Sequence, residues 1–202
     1  MTIGVLALQG GFQRHLAMLE QLGVEAIPVR YAQQLTNCNG LILPGGESTT
    51  MTRLLESEGL WAAIASFVQS HPVFGTCAGA ILLSKDAQDA RVKPFEIMDM
   101  VAERNAYGRQ VDSFSAPLDL SGIGAQQYNA VFIRAPQLKL TSESVDILAT
   151  ENGRPVLVRQ GMALAATFHP ELTADPAIHR YFIESVVPNQ KTVVAKKVVA
   201  HV

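Results

Sequence analysis

Short apolar runs alternate with longer amphipathic stretches through the first part of the chain: I-G-V-L-A-L-Q (3–9), a helical-period segment (12–22), V-E-A-I-P-V-R (24–30) and G-L-I-L-P (40–44). Strands this apolar need cover on both faces, and helix-length crossovers between them make neighbouring strands parallel. The pattern predicts βαβ units, and so a three-layer α/β fold whose mostly parallel central sheet is flanked by helices. The first helix places Phe12, Leu16, Leu19 and Leu22 on one face and stops at Gly23. Further helices are expected at 49–57 and 60–70, then a short strand P-V-F-G-T-C, with helix resuming at Ala78. Beyond Lys85 the β-prone runs 97–103, 109–115, 130–134, 145–149, 155–159 and 162–168 read as an antiparallel or mixed extension packed on the parallel sheet. A last helix is expected over 176–187, with Asp175 as N-cap, Pro176 at the first helical position and Pro188 as the stop.

Composition narrows the function classes. With 48% hydrophobic and 17% charged residues among 202, one globular domain is expected over 1–188; the tail 189–202 reads as a frayed terminus or an edge strand. Lys plus Arg number 16 against 18 Asp plus Glu, so no summed basic field is available to hold nucleic acid or an anionic membrane surface. No apolar run reaches the roughly 18 to 20 residues of a bilayer span, and the first residues lack a basic, cleavable leader pattern. Cys38 and Cys77 cannot build a disulfide framework, and neither a C-x-x-C nor a histidine cluster offers metal-ligand spacing. A reduced, cytoplasmic protein without metal or cofactor is expected.

G-T-C-A-G at 75–79 falls where an apolar strand ends and a helix begins. Its glycines stand two before and two after the central residue, the pattern of a nucleophile elbow: a tight strand-to-helix turn that exposes the central side chain. A helix N-terminus aimed at the Cys77 sulfur favours thiolate, and the Ala78 N–H becomes a donor to a developing oxyanion. A cysteine among small residues is commonly just a small core hydrophobe; the glycine bracket is what distinguishes Cys77. Cys38, in T-N-C-N-G, has no such bracket and is assigned no chemistry.

A thiol nucleophile needs a base. His15 and His179 fall inside predicted helices, His71 precedes a proline and His201 lies near the end of the chain; none has an acid partner in a suitable frame. His169 does. In F-H-P-E-L-T, Pro170 favours extended backbone at His169, and residues two apart in an extended segment share a side. Glu171 is then placed to fix one ring nitrogen while the other faces the thiol. L-P-G-G-E-S-T-T at 43–50 is a third strand-to-helix junction, where Gly46 is a candidate second oxyanion donor and no phosphate-loop ending is present. Arg104 and Arg134 are candidates to clamp a small carboxylate.

Together, G-V-L-A-L-Q-G (4–10), L-P-G-G-E-S-T-T (43–50), G-T-C-A-G (75–79), R-N-A-Y-G-R-Q (104–110), V-F-I-R-A-P (131–136) and F-H-P-E-L-T (168–173) resemble the glutamine amidotransferases with a Cys-His-Glu triad. The resemblance is narrower to the vitamin B6 branch, the glutaminase subunits of pyridoxal 5'-phosphate synthase. It implies a flavodoxin-like, glutamine-amidotransferase-like sheet, Cys77 as nucleophile, His169 as acid and base, and Glu171 as its orienting carboxylate. It further implies L-glutamine held by Gly46, Glu47, Ser48, Arg104, Ile133 and Arg134. Ammonia would pass to a (β/α)-barrel synthase subunit in a hetero-oligomeric complex, since a glutaminase domain leaves almost no residues here for an acceptor site. From the residues alone, other readings stay open: service to a different synthase, a peptidase or other thiol hydrolase with an open groove, and a non-catalytic binding module.

Overall fold

The alternation of apolar runs becomes strand and helix in the expected order. A computed structural model describes residues 1–104 and 113–187. Its first part runs β1 (Thr2–Leu6), α1 (Phe12–Gln21), β2 (Glu25–Val29), β3 (Gly40–Leu43), α2 (Ser48–Ser57), α3 (Trp61–Val68), β4 (Val73–Thr76) and α4 (Ala78–Leu83). Then follow β5 (Ser84–Asp86), β6 (Met98–Glu103), β7 (Ser113–Asp119), β8 (Gln127–Ile133), β9 (Gln137–Leu140), β10 (Asp146–Glu151), β11 (Arg154–Gln160), β12 (Ala163–Ala166) and α5 (Ala177–Tyr181).

Seven strands form the main sheet in the order β10, β11, β12, β4, β3, β1, β2. From β12 to β2 every pairing is parallel, whereas β10, β11 and β12 pair antiparallel at one side. Side chains alternate between two cores. Leu6, Leu41, Leu43, Val73 and Ala165 face α2, α3 and α4 through Met51, Leu55, Ile64 and Ala80. Ile3, Val5, Ile42, Phe74 and Leu164 face α1 and α5 through Leu19 and Ile178. Period-two burial on both faces is the physical content of the three-layer class, and it explains why these strands carry so few polar residues.

The second part departs from expectation in detail. The extension does not simply pack on the sheet: β10 and β11 join it at its edge, while β5, β6 and β9 form a separate three-stranded sheet and β7 and β8 a hairpin. S-K-D and Q-L-K-L, β5 and β9, were not expected as strands; S-K-D is too short and polar to show a period, whereas Q-L-K-L does alternate polar and apolar residues. The strand expected at 109–115 begins at Ser113 and runs to Asp119; 109–112 lie outside the described residues. On α1 the fully covered residues are His15, Met18 and Leu19, while Phe12, Leu16 and Leu22 are half-buried. The last helix starts one residue late, at Ala177, whose N–H donates to Asp175 Oδ1 at 2.9 Å, and it continues as a π-helical turn over Phe182–Val186. Pro188 and the tail 189–202 lie outside the described residues.

Candidate active site

Because β1, β3, β4 and β12 run in one direction, the loops leaving their carboxyl ends meet at one edge of the sheet. Those loops carry Gln9, Gly45 to Ser48, Cys77 and His169.

Cys77 sits at φ +48 and ψ −104, outside the left-handed well that a non-glycine residue tolerates. Such a conformation costs about 1–3 kcal/mol and persists only where its surroundings impose it. The imposing contacts are visible. The Cys77 N–H donates to the Ala166 carbonyl at 2.8 Å, tying the elbow to β12. A Cβ on Gly79 would lie 1.9 Å from the Leu43 carbonyl oxygen, and one on Gly75 would lie 2.5 Å from the Gly79 carbonyl carbon. The bracketing glycines therefore let α4 descend onto β3 and β4. At six residues α4 is under two turns, so it offers the sulfur its first amides rather than a long aligned dipole.

His169 follows Phe168, a fully buried ring packed against Tyr128 and Phe132. Its N–H donates to the Val131 carbonyl at 2.8 Å, so hairpin and sheet both fix the imidazole. His169 Nδ1 is 2.8 Å from Glu171 Oε1, which leaves Nε2 for its hydrogen bond to Cys77. The route to this pairing is not the extended segment expected from the sequence. Pro170 does hold His169 away from helix, at φ −110 and ψ 86, but then opens a single 3-10 turn, Pro170–Leu172, that folds Glu171 back beneath the ring. Burial works against charge on His169, yet its hydrogen bonds to Cys77 and Glu171 and electrostatic attraction to them raise its pKa to about 10. An imidazolium poised against the sulfur is thus favoured at neutral pH. The sulfur also lies 3.8 Å from the Ile133 carbonyl oxygen.

The loop after β3 is organised by Glu47, whose carboxylate caps α2 by accepting the N–H groups of Thr49 and Thr50 at 3.2 and 2.7 Å and both their hydroxyls. Burial opposes its ionisation, but these hydrogen bonds lower its pKa to about 2. Gln9 Nε2 donates to the Glu47 carbonyl at 2.7 Å. Arg104 bridges Glu47 at 2.8 Å and Asp89 at 2.6 Å. The rest of R-N-A-Y-G-R-Q, residues 105–110, lies outside the described residues.

Gly46, Glu47, Ser48, Cys77, Arg104, Ile133, Arg134, His169 and Glu171 all line one cavity of about 580 Å³, room for a small polar metabolite. Ala78 heads α4 beside it. Residues of other chain regions were not anticipated there, notably Arg14 and the Gly10–Gly11 turn. Cys38 stays in the core, with Sγ against the Gln34 carbonyl at 3.3 Å and its thiol pKa raised by burial. His71 stacks on Phe67 away from the cavity. His15 is the residue that sequence reasoning passed over. It stands three after Phe12 and four before Leu19, on the core face of α1, and that spacing was the available signal. Among the described residues no group of acidic, histidine or cysteine side chains is arranged to hold a metal, and no helix is long and apolar enough to cross a membrane.

Similarity to known proteins agrees with this geometry. The SNO glutamine amidotransferase family model matches residues 5–188. The chain belongs to that family. It is 47% identical over 187 residues to "Pyridoxal 5'-phosphate synthase subunit PdxT" of Thermotoga neapolitana, covering 92% of this chain and 100% of that protein. It is 49% identical over 187 residues to the protein of the same name from Shouchella clausii, covering 92% and 95%. A solved structure described as a glutamine amidotransferase is 45% identical and superposes with a TM-score of 0.84 over 90% of this chain and 97% of that one. PurLQS from Thermotoga maritima, only 13% identical, has a TM-score of 0.65 over 90% of this chain and 96% of that one, so the fold outlasts the sequence.

Proposed function

We propose that this chain hydrolyses L-glutamine to L-glutamate and ammonia and delivers the ammonia to a separate subunit that makes pyridoxal 5'-phosphate. The observation that carries the chemistry is Cys77 on its strained elbow, hydrogen-bonded to an imidazole whose far nitrogen is 2.8 Å from Glu171. The destination of the ammonia rests on the relatives named as subunits of pyridoxal 5'-phosphate synthase.

Cys77 thiolate attacks the side-chain amide carbon, forming a C–S bond and an oxyanion that amides at Gly46 and Ala78 receive. On collapse the C–N bond breaks, and the His169 proton leaves with the nitrogen as ammonia. Neutral His169 then takes a proton from water, whose oxygen attacks the thioester; the C–S bond breaks and glutamate departs. Glu171 keeps Nε2 directed at sulfur and substrate throughout. Gly46, Glu47, Ser48, Arg104, Ile133 and Arg134 hold glutamine, a role supported by their shared cavity with Cys77 and His169. Residues 1–188 act as one glutaminase domain with 189–202 as a tail, in keeping with the family match over 5–188. The partner is a (β/α)-barrel synthase subunit in a hetero-oligomer, and the free thiols of Cys38 and Cys77 suit the cytoplasm.

Glutamate release, measured with and without the synthase subunit, tests this. Turnover should rise on adding the synthase and vanish in Cys77→Ala; a Cys77→Ala variant that retains most of the activity overturns the assignment.

A further inference from the structure

Behind the acid of the proposed triad lies a second row of buried polar groups that the chemistry above does not use. Glu171 Oε1 is engaged by His169, while Oε2 is turned toward His15 Nε2, 3.4 Å away. That nitrogen is also 3.3 Å from Thr76 Oγ1, on the residue just before the nucleophile. His15 Nδ1 lies 2.9 Å from His179 Nε2. Both imidazoles are fully buried and Glu171 is 4% exposed.

The protons in this row follow from what each atom can do. An ionised carboxylate only accepts, so the nitrogen facing it, His15 Nε2, carries the hydrogen. His15 Nδ1 is then bare and accepts from His179 Nε2–H. His179 Nδ1 is left as an unprotonated acceptor, and it has no hydrogen-bond partner among the described residues. One tautomer of each ring fits every contact within the row with both rings neutral, leaving His179 Nδ1 as its open end. At 3.4 Å the two are within ion-pair distance short of a formed hydrogen bond, and Glu171 Oε2 has no hydrogen-bond partner among the described residues. A buried carboxylate oxygen draws in the donor it has, and such contacts commonly tighten when substrate binds.

We propose that His15, oriented by His179, is a positioning residue for glutamine hydrolysis: its Nε2–H holds the second oxygen of Glu171 and so fixes the carboxylate plane that keeps His169 on Cys77. The proposal rests on the reading of Cys77, His169 and Glu171 as the triad. A carboxylate held at one oxygen can swing about that bond, and three rotatable side-chain bonds in Glu171 permit it; a second anchor removes the freedom. The groups facing His15 are Glu171 and His169 from the segment after β12, His179 from α5, and Thr76 from β4, so it links all the elements that carry the triad to α1.

Two isosteric amides at position 15 separate positioning from filling. In the full-length chain with its synthase, His15→Gln places an amide N–H where Nε2 stands, whereas His15→Asn places one near Nδ1, out of reach of Glu171. His15→Asn should lower kcat by about 10- to 100-fold, the weight of one hydrogen bond to a buried charge, with KM within about twofold. Its kcat–pH profile should shift, and His15→Gln should recover kcat to within about fivefold. Should His15→Asn fail to fold, His179→Asn, which removes the N–H that His15 Nδ1 accepts and so leaves the His15 donor in place but loosens it, should lower kcat by about three- to tenfold at unchanged KM. Equal kcat and equal pH profiles in the position-15 Asn and Gln variants, or an unaltered kcat in His179→Asn, would overturn the proposal. A distinct result, an unsubstituted chain in which a glutamine-like alkylator leaves Cys77 unmodified, would overturn the triad reading itself.

Discussion

Acidification should destabilise this protein through its buried histidine pair before its carboxylates titrate. His15 Nδ1 and His179 Nε2 meet at 2.9 Å with one proton between them, and a second proton would set two N–H groups face to face without access to water. Burial lowers the His179 pKa to about 4; burial, then the neighbouring His179 and His169, lower that of His15 well below its usual value. The unfolded chain, with ordinary imidazoles near 6.5, therefore binds more protons than the folded one in this window. Stability from the pair is fully present above about pH 6.5 and is lost as pH falls toward about 4. For His179 alone the linkage amounts to about 2 kcal/mol lost between pH 7 and 5, and about 3 kcal/mol by pH 4. His15 adds in the same direction. Against a total of about 5–15 kcal/mol this is a large share. His169 runs the other way: with its pKa raised to about 10, its contribution is whole below about 6.5 and is lost progressively as pH rises from there to about 10, so between pH 7 and 5 it adds a smaller gain of about 1 kcal/mol or less. Urea unfolding at pH 7, 6, 5 and 4 isolates the effect when the unsubstituted chain is compared with His179→Asn, because the carboxylate and His169 contributions cancel in the difference. The variant should lose about 2 kcal/mol less between pH 7 and 5. Parallel stability–pH curves for the two proteins would refute the linkage.

Three further outcomes follow from contacts at the site. Gly79→Ala brings a Cβ to 1.9 Å from a backbone oxygen of β3 that cannot yield, so the unfolding free energy should fall by about 1–3 kcal/mol or more, read from a denaturant melt. Gly45→Ala instead meets a side chain, at 2.4 Å from His169 Cε1, and should cost glutamine turnover about 100-fold through a displaced imidazole while the melt changes much less. Asp89→Asn weakens the carboxylate that holds Arg104 at the cavity wall and should raise KM for glutamine by about three- to tenfold with kcat within about twofold, measured by steady-state glutamate release.

What could be read from the residues was what local sterics and short periods dictate. The apolar alternation determined the layers, because a parallel strand buried on both faces admits few polar residues. The glycine bracket of Cys77 was equally legible, since the approach of α4 to Leu43 leaves no room for a Cβ. The His169 and Glu171 pairing was right in partner and mistaken in path: a 3-10 turn after Pro170 does what an extended segment was expected to do. Asp89 behind Arg104 and the strand β5 are defined by partners well along the chain and left little local trace, whereas Glu47 caps α2 through its immediate neighbours Thr49 and Thr50 and escaped notice because glutamate is not among the usual cap residues.

His15 shows why such long-range partners matter more than their absence from any motif implies. Its place on the core face of α1 marks it for burial, and a buried imidazole pair is a poor way to fill space: apolar side chains of similar volume commonly stabilise as well or better without a desolvation cost. The acid sensitivity argued above is that cost in measurable form. A fold that carries it directly beneath the Glu171 carboxylate, on the helix that follows β1 and against the residue before Cys77, spends stability where orientation of the triad is decided. The two sets of variants bear on opposite sides of this exchange. His179→Asn should flatten the acid limb of stability and lower kcat in the same protein, an outcome that a histidine pair serving packing alone does not produce.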